Sequence, residues 1–146
     1  MMATCLIDTN VLIDATAPTS PWHLWSTTAL RVAMESGSVA INPVIYSELA
    51  MNYEQPAQLE QAFPAEAFLR LDLPWACCFA AGEAHLRYLN SGGRRERTLP
   101  DFLIGAHAQG EGFTLITRDA SRYRSHFPDL ALIEPRTHYA DLTPGH

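Results

Sequence analysis

A chain of 146 residues, 47% of them hydrophobic, has room for one domain (1–146) around a single substantial core, and no second domain is expected. Its formal net charge of -6 argues against general, non-specific nucleic-acid binding, which depends on counterion release by a basic surface. No apolar run is long enough to span a bilayer, and Met1 to Ile13 lacks the basic start and small-residue cleavage site of a signal peptide, so a cytoplasmic protein with no membrane association is expected.

The chain opens on an apolar run, Cys5-Leu6-Ile7, that reads as a short buried strand ended by Asp8. In an open parallel sheet the ligand crevice lies beyond the carboxyl ends of the strands, which places Asp8 where ligands bind. Asp8 and Thr9 serve equally well as turn punctuation through bonds to nearby amides, and this stretch alone leaves both readings open. Ser20-Pro21 supplies an N-cap and a first-position proline, and Gly37 a stop, for a helix from about Trp22 to Ser36 whose tryptophans read as packing. Val39 to Ile41 is a second strand. Asn42-Pro43 then opens a helix from Val44 to about Asn52, with Glu48 near its core-facing side among Val44, Ile45, Leu49 and Met51, where an acid rarely sits without a partner.

Pro56 starts a helix running through Ala62, and Phe68 to Leu71 reads as the third strand. Apolar spacing from Pro74 to Asn90 predicts a long helix closed by Asn90-Ser91-Gly92-Gly93. Cys77 and Cys78 have no Cys or His partners at zinc-site spacing and read as small buried hydrophobes of a reducing compartment. The densest basic cluster, Arg94-Arg95-Glu96-Arg97, comes next. Thr98-Leu99-Pro100-Asp101 then gives an N-cap, a helix start and an acid in the first turn. Phe113 to Ile116 is the fourth strand, ended by Thr117-Arg118-Asp119, and Leu130 to Ile133 the fifth; Glu134 to His146 is expected to be a loosely held tail. Strands alternating with helices at these intervals mean βαβ units and a parallel sheet of about four to five strands covered on both faces.

Asp8 and Asp119 each follow an apolar strand and emerge on the same edge of a parallel sheet; they meet if the first and fourth strands are neighbours. Glu48 and Asp101, on the helices after the second and before the fourth strand, can reach the same crevice. Two like charges about 5 Å apart repel by roughly 3 kcal/mol at an effective dielectric of 20, so such a cluster must hold protons or cations. An all-oxygen set suits Mg²⁺ or Mn²⁺ rather than zinc. Asn10, Thr117 and, more weakly, Ser121 would orient ligands or water from behind the acids. Arg94, Arg95 and Arg97 would line the rim and hold phosphates flanking a scissile bond, with Arg118, Arg122 and Arg124 bracketing the fourth acid similarly. All of these arginines read equally well as solvated loop charges or as the seat of an acidic partner segment. Asp14, about one helical turn past Asn10, is expected to face solvent, and Glu83 stays outside the core set.

Leu6-Ile7-Asp8-Thr9-Asn10-Val11-Leu12-Ile13, Ser47-Glu48-Leu49, Pro100-Asp101-Phe102-Leu103-Ile104-Gly105-Ala106-His107-Ala108 and Leu115-Ile116-Thr117-Arg118-Asp119 resemble the PIN domain, and more closely the VapC toxins of bacterial type II toxin-antitoxin systems. The resemblance runs from Leu6 to about Ile133. It implies a three-layer α/β/α sandwich with a central parallel sheet, and a Mg²⁺- or Mn²⁺-dependent endoribonuclease, often homodimeric, held inactive by a VapB-like antitoxin. By position, Asp8, Glu48, Asp101 and Asp119 would be the acidic quartet and Thr117 the hydroxyl beside it. The implied substrate is structured RNA, such as transfer or ribosomal RNA, with operator DNA bound only through the antitoxin complex. A histidine-based, metal-free ribonuclease is a rival, but no two of the six histidines share a motif. A phosphatase-like use of Asp8 as nucleophile is weakened by Asn10, which stands where the usual second acid would. The alternative from another class is a non-catalytic RNA- or protein-binding module with a structural ion.

Overall fold

The structure is a computed structural model that describes residues 3–93 and 96–145. Strand β1 (Ala3–Ile7) leads into helix α1 (Thr9–Ala15) and helix α2 (His23–Ser36), followed by β2 (Gly37–Ile41), α3 (Pro43–Ala50) and α4 (Pro56–Ala62). After β3 (Phe68–Arg70) come α5 (Trp75–Asn90), α6 (Leu99–Glu111), β4 (Thr114–Ile116), the one-turn helix α7 (Ser121–Arg124) and β5 (Leu132–Ile133).

The five strands pair in the order β3-β2-β1-β4-β5, every pair parallel, and helices cover both faces in a three-layer sandwich. β1 is central, with Leu6 opposite Ala40 of β2 and Leu115 of β4. Leu6, Ile7, Ala40, Leu115 and Ile116 are all fully buried, as expected of strands covered on both faces, which read as continuous apolar runs. The condition set by the sequence is met: the first and fourth strands are neighbours, and the Asp8 N–H extends their ladder by donating to the Ile116 carbonyl at 2.9 Å.

Local chemistry explains the starts of α3, α4 and α6. Asn42 Oδ1 accepts the Ile45 N–H at 2.9 Å with Pro43 in the first position of α3, and Thr98 with Asp101 forms a capping box at the start of α6. Two details sharpen the sequence-based expectation. Helix α2 begins at His23 rather than Trp22, because Ser20 Oγ closes a tight turn by accepting the Trp22 N–H at 3.1 Å. Gly37 ends the helix as expected, and it is also the first residue of β2, extended at φ -176°, where a Cβ would collide with the carbonyl of Ala3 on β1. Gly105 inside α6 has a similar reason: a side chain would enter the ring of Phe127, which is 4% exposed.

The segment after β5, expected from its composition to be loose, is tied at several points. Glu134 is 2% exposed and accepts from Arg124 and from the Arg136 N–H, each at 3.1 Å. Trp25, fully buried in α2, donates its indole N–H to the His138 carbonyl at 2.8 Å, and Tyr139 and Leu142 pack on the core. Burying an indole requires a partner for its N–H, and the C-terminal segment supplies one. Among the described residues no helix is long and apolar enough to cross a membrane.

Candidate functional site

Asp8 ends β1 with its side chain 3% exposed at the sheet edge. Its Oδ2 accepts hydrogen bonds from Thr117 Oγ1 at 2.8 Å and Tyr123 Oη at 2.9 Å, with Asn10 Nδ2 further off at 3.4 Å. Oδ1 receives no hydrogen bond among the described residues. Burial pushes the Asp8 carboxyl up to about 6; the Thr117 and Tyr123 hydroxyls and Arg122 act against that, and Asp101 adds to it. Tyr123 is itself fully buried, and burial followed by the Asp8 charge drives its phenol well above the ordinary range, so it stays a donor.

Asp119 follows β4 on the neighbouring strand. Its Oδ2 meets Arg122 Nε at 2.8 Å, and its Oδ1 accepts from Ser121 Oγ at 2.7 Å. Asp101, 8% exposed in the first turn of α6, spends Oδ2 on the Thr98 cap, while its Oδ1 faces Arg122 Nη1 at 3.6 Å. Arg122, on α7, thus reaches across two of the acids and lies close enough to Asp8 for all three carboxylates to act on it. Burial weakens its charge, but Asp101, Asp119 and Asp8 together outweigh that and hold the guanidinium above its ordinary value. Glu48, on α3, accepts from Thr9 Oγ1 at 2.6 Å, one residue from Asp8.

The structure therefore brings Asp8, Asp101 and Asp119 together around Arg122 and places Glu48 beside them through Thr9. Among the described residues no three acid, histidine or cysteine side chains are grouped so as to hold an ion as they stand, and a guanidinium spans Asp101 and Asp119. The donor set still suits a hard divalent cation: the ligating atoms are carboxylate oxygens, Asp8 Oδ1 is uncommitted, and burial has made the Asp8 charge costly without a cation. Thr117, fully buried, both donates to Asp8 and accepts the Asp119 N–H at 3.0 Å, so one hydroxyl fixes two acids; Asn10 Oδ1 is 3.4 Å from the Arg118 N–H.

The arginines divide. Arg94 and Arg95 lie outside the described residues. Arg97 is half-buried and donates to the Ser121 carbonyl at 3.2 Å. Arg118 pairs with Asp14 at 2.6 Å and lies over the Trp22 ring, 5.6 Å from its centroid. Asp14, expected to face solvent, is instead 6% exposed and also accepts from Ser20 Oγ, because Arg118, 104 residues away in sequence, packs over it. Glu83 is exposed on α5. Beside Asp119 an open cavity of about 740 Å³ is lined by Trp22, Arg118, Arg124, Arg136 and Glu134; Arg118 and Arg124 are paired with Asp14 and Glu134, so its wall alternates guanidinium and carboxylate groups.

Two features escaped the sequence. Tyr123 was not singled out in the sequence, and its hydroxyl lies on Asp8; its place four residues after Asp119, on the same short helix as Arg122, was the available signal. Asn42, legible as a cap, also donates to Nδ1 of His107, 1% exposed in α6, at 3.0 Å. That buried bond ties α3, which carries Glu48, to α6, which carries Asp101. His107 is thereby committed to packing, and burial lowers its affinity for a proton.

Comparison with known proteins places the chain. The family model of the PIN domain matches residues 5–126. No curated protein sequence matches the chain. Among solved structures, a chain of VapBC2 from Rickettsia felis, bound to a DNA fragment from their promoter, is 20% identical, with 90% of this chain and 98% of that one covered at a TM-score of 0.71. A chain of VapBC-1 from nontypeable Haemophilus influenzae gives 20% identity, 90% and 97% coverage and a TM-score of 0.69. A toxin-antitoxin complex from Klebsiella pneumoniae gives 22% identity, 90% and 97% coverage and a TM-score of 0.66.

Proposed function

This chain belongs to the PIN-domain family, and from that premise we propose that it is a Mg²⁺- or Mn²⁺-dependent endoribonuclease, the toxin of a type II pair neutralised by a VapB-like antitoxin. The observation that carries the reading is that Arg122 bridges Asp101 and Asp119 and also feels the charge of Asp8 at the carboxyl edge of the sheet, with Glu48 bonded to Thr9, the neighbour of Asp8. On this reading the four acids hold the ion, and Thr117 and Asn10 fix Asp8 and the Thr117–Asp119 turn. A divalent ion bound there supplies Lewis acidity, acidifying a water and offsetting charge on the scissile phosphate. The chain's own part is to orient the carboxylates, keep Tyr123 and Thr117 as donors to Asp8, and steer the substrate. RNA phosphates enter along the cavity lined by Arg118, Arg124 and Arg136, and the Trp22 ring edges the same path.

We infer a homodimer in addition. One face of α5 is bare: Trp75 is 91% exposed, Phe79 71%, Leu86 58% and Leu89 49%, at the spacing of a single helical stripe, while Cys77, Ala81 and Ala84 on the opposite face are buried. A second copy covers that stripe.

A second reading has its own support. Because Arg122 already offsets Asp101 and Asp119, the same crevice could serve a non-catalytic RNA- or protein-binding module. Incubating the purified protein with total RNA in Mg²⁺ or Mn²⁺ and in EDTA, then mapping new ends, separates the two. The nuclease reading expects ion-dependent ends with 5′-phosphates that disappear in Asp8→Asn and Asp101→Asn; equal end patterns with and without EDTA would refute it.

A further inference from the structure

Arg122 occupies an unusual position. Its guanidinium offers Nε to Asp119 at 2.8 Å and Nη1 to Asp101 at 3.6 Å, from a four-residue helix that begins two residues past Asp119. Tyr123, the next residue on that helix, is fully buried and donates to Asp8, so the backbone that presents Arg122 is anchored to the same acid cluster. Ser121, on the other side, donates to the second oxygen of Asp119. Three consecutive residues of α7 therefore address the acids: one hydroxyl to Asp119, one guanidinium to Asp119 and Asp101, and one phenol to Asp8. Arg122 is about 40% exposed along its side chain, which leaves it room to move, whereas Tyr123 has none.

An arginine cannot shed its charge at any relevant pH, so a carboxylate pair held by one is already compensated. A divalent ion brought to the same oxygens must displace that charge or be repelled by it. We infer that Arg122 is a resident counter-cation: it holds Asp101 and Asp119 together in the ion-free protein and competes with the divalent ion for them. The inference rests on the metal-dependent reading above and adds to it a built-in threshold for ion loading, set inside the chain itself. Once displaced from Asp119, the guanidinium stays tethered beside the acids by the Tyr123 anchor, where a planar donor fork suits a phosphate.

Mn²⁺ binding, measured by calorimetry and by the spin-resonance signal of free Mn²⁺, is compared in the parent, Asp119→Asn, Arg122→Met and Arg122→Lys, without any activity readout. The expected order is weaker binding in Asp119→Asn, and binding tighter than the parent by about twofold to fivefold in Arg122→Met, the worth of a partly exposed ion pair. Arg122→Lys, which keeps the charge but cannot bridge two acids, falls between Arg122→Met and the parent. Equal or weaker Mn²⁺ binding in Arg122→Met, with Asp119→Asn still weakened, overturns this inference while leaving the metal reading intact. Absence of binding in parent and Arg122→Met alike overturns both. Binding seen in Arg122→Met alone supports the inference in its strongest form. Should Arg122→Met not fold, the parent itself is decisive: the Arg122 Nε–H resonance, protected in EDTA by its bond to Asp119, shifts and loses protection as Mg²⁺ fills the site. A resonance unmoved at saturating Mg²⁺ overturns the inference.

Discussion

Replacing Asp8 with Asn should stabilise the ion-free protein at neutral pH and flatten the pH dependence of its stability. Burial raises the Asp8 carboxyl from about 3.8 to about 6, so between those values the folded chain keeps a proton that the unfolded chain releases. The folded state binding the extra proton means that stability is full below about pH 4, falls as pH climbs toward 6, and then levels off. A difference of about two pH units at 1.36 kcal/mol each gives roughly 3 kcal/mol lost by the parent across that window. Asparagine cannot ionise, and its amide oxygen, set where Oδ2 now lies, keeps both the Thr117 and Tyr123 hydroxyl bonds. Its amide NH₂ then occupies the Oδ1 position. Urea unfolding in EDTA at half-unit steps from pH 4 to pH 8 makes the comparison. The two curves should lie together near pH 4 and separate by about 3 kcal/mol at pH 7, with the variant the more stable. A variant that loses stability with rising pH as steeply as the parent, or that is the weaker protein at pH 7, would refute the assignment of a costly buried charge to Asp8.

Three other outcomes follow from the packing. Asn42→Ala removes the α3 cap and leaves His107 Nδ1 buried without its donor, so a loss of about 2 to 3 kcal/mol is expected in urea unfolding, of which Asn42→Ser recovers only the cap's share of about 1 kcal/mol. Gly105→Ala should cost about 1 to 3 kcal/mol despite alanine's better helix propensity, and Phe127→Leu in the same chain should return part of that; equal stability of the single variant and parent would show that the ring has space to retreat. Changing Trp75 and Phe79 together to Ser should leave the melting temperature of the folded unit nearly unchanged, since both are exposed, while sedimentation shifts the protein from dimer to monomer; an unchanged sedimentation coefficient assigns the α5 stripe to something other than a second copy.

The strands and helices, and the acids that follow or begin them, were legible residue by residue. Leu6-Ile7 before Asp8 and Leu115-Ile116 before Thr117 announce strands that end in polar groups, and Asn42-Pro43 and Thr98 through Asp101 announce helix starts, because burial on both faces and the capping of orphan N–H groups are satisfied by neighbours within a few residues. What those elements do to one another was not written locally. That β1 lies between β2 and β4 rests on pairings between residues more than thirty and more than a hundred positions apart. That Asp14 is buried rather than solvated depends on Arg118, and that the C-terminal segment is held depends on the Trp25 indole finding a carbonyl in it. Arg122 shows the division most clearly. In the sequence it is a surface cation near an acid, and only the tertiary structure, which buries Tyr123 beneath Asp8 and thereby aims α7 across the sheet edge, turns it into the charge that two distant carboxylates share. Short-range chemistry selects each element and its buried face, whereas the direction of a side chain across the site is settled by the joint packing of many elements, which no single window of residues contains.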